Sequence, residues 1–311
     1  MATVYSETPH NFADISSFII TDREQILTRI REKKRCFFYD ACSFRRHAKL
    51  EDEESAYLLE YIDVQDGVLV ITRTVLMELG SHSGMLNPSY VRYFNRIKAY
   101  GIEVLVIYEE DIYSVMSSCY GTNLEINSYL VWAVRMVKDP VSTISQVLSE
   151  DRKLYTEVIE GKNLEKGDVY SRFFCAVRNS KESGDNLGEE LVAICLHILS
   201  YMPGTLDGKY GMITDDKEAA LNTYAMFEKT AIQYKGSRVF IFSTPKLAQV
   251  FRREGILADR EHMRKILSAG TEGNLSLIPA RIYDLKCKEM TMSVDELTDL
   301  IMEPTGISIL F

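Results

Sequence analysis

The stretch YGMITDDKEAALNTYAMFEK, residues 210–229, runs from an apolar segment through Thr214 into Asp215 and Asp216, then into a helical pattern. Its hydrophobicity is continuous rather than alternating, which marks a short strand covered on both faces. Two adjacent carboxylates at the end of such a strand repel each other, so water, a helix cap or a cation has to compensate.

The same arrangement recurs along the chain. CFFY (36–39) leads to a helical segment, as do GVLVIT (67–72), IEVLVIY (102–108) and RVFIFS (238–243). Strand–helix alternation of this kind predicts a three-layer α/β/α fold with a central parallel sheet of about five strands. The regular spacing breaks between Glu109 and Gly184, where helical patterns such as EINSYLVWAVRMVKD replace strands. The organisation read from these patterns is an N-terminal helical extension (1–33), a core formed by 34–111 and 172–258, a helical insertion (112–171) and a mixed C-terminal extension (259–311).

Composition narrows the classes. The chain has 311 residues, 46% of them hydrophobic, and a net charge of −9. That charge argues against a protein that coats nucleic acid over its whole surface. Basic residues nevertheless concentrate in 23–49 and 238–265. No apolar run reaches the roughly 18 residues of a membrane span. The N-terminus also lacks the basic-then-apolar order of a signal peptide. Six cysteines without a CxxC pair signal neither a disulfide framework nor a zinc knuckle, so a cytoplasmic protein with reduced thiols is expected.

In a parallel α/β sheet, ligands bind beyond the carboxyl ends of the strands. Asp40 ends the first strand in FFYDACSF, and Asp215 and Asp216 end the fourth. Glu78 lies in the apolar helix TRTVLMELG, and SGDNLGEELVAI offers Asp185, Glu189 and Glu190. Each has a structural alternative. Asp40 can cap the next helix, Glu78 can be an exposed helix residue, and Asp215 can form a capping box with Glu218. Asn186 and Glu189 form a second candidate box, which leaves Glu190 as the preferred functional acid, with Asp185 and Glu189 in reserve. Together these acids would converge on one rim of the sheet. Hard divalent cations with oxygen ligands, Mg²⁺ or Mn²⁺, resolve such a cluster and can activate a water.

This ordered set resembles the PIN-domain nucleases: Asp40 in a hydrophobic–D–x–x context, Glu78 in TVLMELG, Glu190 in GEELVAI, and Asp216 in the T-x-D of ITDDKEA, with Asp215 beside it. The resemblance departs from the usual pattern at Cys42, where Ser, Thr or Asn is customary, with Ser43 following. It implies a metal-dependent endonuclease acting on RNA in preference to DNA. Asp40 and Asp216 would be the principal metal ligands, with Glu78 and Glu190 completing the site. Arg45, Arg46, Lys217 and Lys246, just past strand ends, are the candidate contacts to flanking phosphates.

Two other readings stand beside it. A haloacid-dehalogenase-type phosphohydrolase would need a second Asp where Cys42 stands and leaves Glu78 without a role. A non-enzymatic scaffold would use the insertion and tail as partner surfaces, and the insertion is a candidate surface for a homodimer or a protein partner. No histidine is assigned a catalytic role. His197 is expected to be a hydrogen-bonded core residue, His82 a loop residue near the Glu78 helix, and His47 is left unassigned.

Overall fold

Five parallel strands form the central sheet of the computed structural model, which describes residues 5–137, 142–229, 235–269, 274–281, 289–303 and 307–311. They are β1 (Arg35–Tyr39), β2 (Gly67–Thr72), β3 (Val104–Ile107), β4 (Tyr210–Ile213) and β5 (Phe240–Phe242). β2, β3 and β4 are buried along their whole length, which is why their sequences show no alternation. The last two expected strands are shorter than their apolar runs. Arg238 lies outside β5 because its N–H bonds to the Asp207 side chain.

The spatial order is β3-β2-β1-β4-β5. From the central β1 the chain builds outward in one direction through β2 and β3, then returns to the other side of β1 for β4 and β5. The registers Phe37↔Leu69 and Phe37↔Gly211 fix β1 between its two neighbours. The reversal of strand order therefore falls between the ends of β1 and β4, the place where an open parallel sheet forms a crevice.

Helices flank the sheet. In the first half they are α1 (Arg23–Glu32), α2 (Ala41–His47), α3 (Asp52–Val64), α4 (Arg73–Gly80) and α5 (Pro88–Ala99). Between β3 and β4 lie α6 (Asp111–Ser117), α7 (Asn123–Met136), α8 (Ser142–Glu150), α9 (Arg152–Val158), α10 (Val169–Asn179) and α11 (Leu187–Leu199). These helices share one buried core with the sheet, through residues such as Ile126, Leu130, Val158 and Phe173. Buried Asn127 ties them together, donating to the carbonyls of Leu164 and Gly167 at 2.6 Å each.

After β4 come α12 (Lys217–Lys229), α13 (Thr244–Arg253), α14 (Arg260–Ser268) and α15 (Val294–Met302). Two small antiparallel pairs complete the C-terminal part: β6 (Asn274–Leu277) with β8 (Met290–Ser293), and β7 (Pro279–Arg281) with β9 (Ile307–Ile309). No helix among the described residues is long and apolar enough to cross a membrane.

His197 corrects an expectation. It is fully buried on α11, but neither ring nitrogen has a hydrogen-bond partner among the described residues. It packs against the rings of Tyr201 and Phe227, and burial lowers its pKa to about 3. An apolar environment holds it as a neutral aromatic filler.

Candidate metal centre

Asp40 follows β1 directly and is fully buried. It stands at the N-cap position of α2 but makes no side-chain cap bond. Its Oδ2 accepts from Thr214 Oγ1 at 3.0 Å and from the Cys42 thiol at 2.5 Å. Its Oδ1, also buried, has no partner among the described residues. Burial pushes the Asp40 carboxyl above its ordinary range and the Asp216 charge adds to this, against the bonds from Cys42 and Thr214. The Cys42 thiol is itself pushed up by burial and by Asp40, so it remains a protonated donor.

Glu78 reaches the same crevice from α4, which Thr72 caps by accepting from Val75 N–H. Burial raises its pKa, the Asp40 charge adds to the rise, and Lys181 opposes it. The Lys181 ammonium lies 2.9 Å from Glu78 Oε1 and also pairs with Asp185. That side chain is 2% exposed, and among the described residues it is the one cation in ion-pair contact with the cluster.

The first turn of α11 supplies the third acid. Gly188 lies so close to Glu78 that a Cβ there would fall 2.7 Å from both carboxylate oxygens. This approach brings Glu189 to the cluster. Burial raises the Glu189 pKa to about 8, with Asp40, Glu78 and Asp216 adding their charges. The Asn186–Glu189 capping box does not form, since the Asn186 side chain makes no cap bond. Asp185 occupies that turn instead, accepting from Thr143 Oγ1 at 2.6 Å and from Glu182 N at 3.0 Å. Glu189 and Glu190 both line a small neighbouring groove with Asn186 and Asn222. Glu189 thus feels the charges of Asp40 and Glu78, and Asp185 is joined to Glu78 through Lys181.

Asp215 and Asp216 divide their tasks. Asp215 accepts from Ser43 Oγ, Thr244 N and Thr244 Oγ1, each at 2.7 Å, and pairs with Arg46 at 3.1 Å. It fastens the end of β4 to α2 and α13. His47 joins that network through Thr244 Oγ1 at 2.9 Å and Tyr39 at 2.5 Å, and burial lowers its pKa to about 4. Asp216 caps α12: its Oδ1 accepts from Ala219 N at 2.8 Å, one residue later than the box expected at Asp215. The other oxygen of Asp216 makes no bond among the described residues.

The four candidate phosphate contacts each have a partner within the chain. Arg45 donates to the Glu78 carbonyl at 2.6 Å, and Lys217 pairs with Glu289 at 2.5 Å. Arg46 holds Asp215, and Lys246 donates to the Ile241 carbonyl at 2.8 Å. Of these, Arg45 borders the groove that leaves Glu78, a cavity of about 710 Å³ also lined by His82, Asn87, Tyr90 and Tyr5.

All the donors of the cluster are carboxylate oxygens, a set that suits hard divalent cations rather than soft ones. The buried, unpartnered Oδ1 of Asp40 fits a ligand position for such an ion. Among the described residues, the group of three whose ligand atoms lie within 4.8 Å of one another is Glu53, Glu54 and His262, and there too one buried oxygen, Glu54 Oε2, has no hydrogen-bond partner. There Glu54 Oε1 already accepts from His262 Nδ1 at 2.8 Å and Lys265 at 3.0 Å, an ion-paired contact between α3 and α14.

The sequence patterns did not single out Lys181, whose role depends on a turn that folds back onto α4. They also passed over residues 5–11, where Glu7 pairs with buried Arg178 at 2.7 Å and His10 N–H bonds to Gly84. The small residue before Glu189 was the available signal, since a glycine inside a helix marks close approach. No family model matches the chain, and neither a curated protein nor a solved structure matches it.

Proposed function

We propose that this chain is a metal-dependent endonuclease with a PIN-like core, hydrolysing phosphodiester bonds of RNA in preference to DNA. One observation carries the reading: at the crevice between β1 and β4, Asp40 keeps one buried carboxylate oxygen without a hydrogen-bond partner among the described residues, while its charge raises the pKa of Glu78 and Glu189 and that of Asp216 raises those of Asp40 and Glu189. Such a cluster is stable as anions only with a compensating cation.

Asp40, through Oδ1, and the oxygen of Asp216 not used in capping would hold Mg²⁺ or Mn²⁺, with Glu189 and Glu78 completing the set. The ion, when bound, supplies Lewis acidity and lowers the pKa of a water. The remaining work belongs to the chain. Thr214 and Cys42 fix the rotation of Asp40 by holding its other oxygen. Lys181 holds Glu78 in place and offsets part of the cluster's charge. Arg45 and the groove beyond Glu78 would receive the flanking phosphates and bases. The preference for RNA rests on the resemblance of the TDD segment followed by a basic residue.

Labelled single-stranded RNA and DNA, incubated with the protein and Mn²⁺, Mg²⁺ or EDTA beside an Asp40→Asn variant, test the reading. Metal-dependent cutting that disappears in the variant is expected. No cutting and no metal-induced rise in melting temperature, with the fold intact, would overturn it and favour a scaffold role.

A further inference from the structure

The sheet face beneath α3 and α13 carries a second cavity, at the β5 edge. Phe37, Tyr61, Phe240 and Phe242 wall it, and Arg35 and Lys246 reach into it. It has a volume of about 330 Å³, within the range of roughly 300–1,000 Å³ typical of small-ligand sites. Arg35 begins β1 and Asp40 ends it. Five residues of strand separate them by about 16 Å, so this cavity is distinct from the acid cluster.

Its shape follows from the sequence. Phe37, Gly211 and Phe240 stand in register on one face of the sheet. Gly211 contributes no side chain, which leaves space between the Phe37 and Phe242 rings, 6.0 Å apart. Gly208, at φ +73°, forms part of the wall, and a Cβ there would collide with the Phe240 ring and the Arg35 guanidinium. Arg35 is thereby pressed against Phe240, its guanidinium carbon 5.6 Å from the ring centre.

The charges are unusual for an internal wall. Lys246 donates to the Ile241 carbonyl and lies 5.5 Å from the Phe242 ring centre. Arg35 donates to the Asp207 carbonyl at 3.1 Å. Neither makes an ion pair among the described residues. An ammonium has three donors and a guanidinium five, so most remain available. Lys246 also sits in the first turn of α13, where the helix dipole disfavours a cation. Burial works against its charge as well. The opposing charge nearby is Glu254, exposed at the mouth and in no ion pair among the described residues.

Stacking rings beside two cations without counter-ions select a flat aromatic anion. We propose that this cavity binds a nucleoside monophosphate, its base against Phe240 and Tyr61 and its phosphate between Arg35 and Lys246. Arg offers a phosphate a planar fork of donors and Lys a point charge. Gln65 and Glu254 at the mouth supply an amide for the base edge and an acceptor for the ribose hydroxyls. The volume is enough for one nucleotide.

Isothermal titration of the Asp40→Asn protein with AMP and GMP in EDTA tests this while removing metal-dependent binding at the acid cluster. Saturable binding is expected, weakened about tenfold or more by added Lys246→Met or Arg35→Met and less by Phe240→Leu on the exposed rim. Adenosine and inorganic phosphate should each bind at least about tenfold more weakly than AMP. Absence of saturable binding up to millimolar nucleotide overturns the proposal. So does binding that Lys246→Met, Arg35→Met and Phe240→Leu all leave unchanged in proteins that melt normally. The proposal does not depend on the nuclease reading, and neither result decides the other.

Discussion

The thiol of Cys42 donates to Oδ2 of Asp40 across 2.5 Å, while Oδ1 of the same carboxylate is buried and makes no hydrogen bond among the described residues. Under the proposed reading, Oδ1 is the Asp40 oxygen that would ligate the metal. Titration and substitution of the surrounding acids separate that role from ordinary structural ones.

Stability should depend on pH in an unusual direction. Glu189 titrates near 8 in the folded chain against 4.5 for an ordinary glutamate. Between those values the native state holds a proton that the unfolded chain has released. Stability in EDTA should therefore fall as pH rises from about 4.5 to 8. Divalent metal should reverse the trend, adding about 2.7 kcal/mol at a hundredfold excess over Kd at pH 8 and less at pH 5. Melting curves at the two pH values, with Mn²⁺ and with EDTA, check this.

Glu189→Gln and Glu190→Gln should behave differently. The first removes a repelling charge, so it should raise the metal-free melting temperature at pH 8 and reduce metal affinity by more than about tenfold. The second should leave metal affinity within about threefold of the parent. Equal effects of the two variants on Mn²⁺ titrations would place Glu190 in the site beside Glu189.

The adjacent aspartates should separate stability from activity. Asp215→Ala strands Arg46 and removes the acceptor for Ser43 and Thr244, at a cost of roughly 2–4 kcal/mol in denaturant unfolding. Asp216→Asn preserves a good cap, so it should cost less than about 1 kcal/mol while abolishing metal-dependent cutting.

Lys181→Met leaves Glu78 and Asp185 buried without their shared cation. A loss of about 3–5 kcal/mol is expected in metal-free protein. Mn²⁺ should recover part of it, since the ion supplies positive charge to the same carboxylates. Destabilisation that metal does not relieve would separate Lys181 from the cluster.

How much of this was legible beforehand differs from element to element. The sheet was readable because β1 to β4 are buried on both faces, and short continuous apolar runs between helical patterns fit little besides covered strands. The placement of Asp40 and Asp216 after strands and of Glu78 on a largely buried helix was readable because strand ends and an apolar helix fix their surroundings locally. The absence of an Asn186 cap on α11 was not, because Lys181 and Thr143, which engage Asp185 in that turn, come from contacts the local pattern does not contain. Asp215 and Asp216 were likewise ambiguous, since the groups that engage Asp215 come from Ser43, Arg46 and Thr244, distant in sequence. Local pattern reveals which residue types are available, and tertiary contacts decide which of them remain free.

The Thr214–Asp40 hydrogen bond spans 174 positions of chain. Parallel pairing at such separation is late in folding, because loop closure precedes any gain from the contact. Asp40 and Glu78 are synthesised early, but Glu189 and Asp216 arrive only after the whole helical stretch between β3 and β4 has been made. A growing chain therefore emerges from the ribosome with only two of the four acids of this crevice. Under the nuclease reading, it is harmless to its own message until β4 docks beside β1.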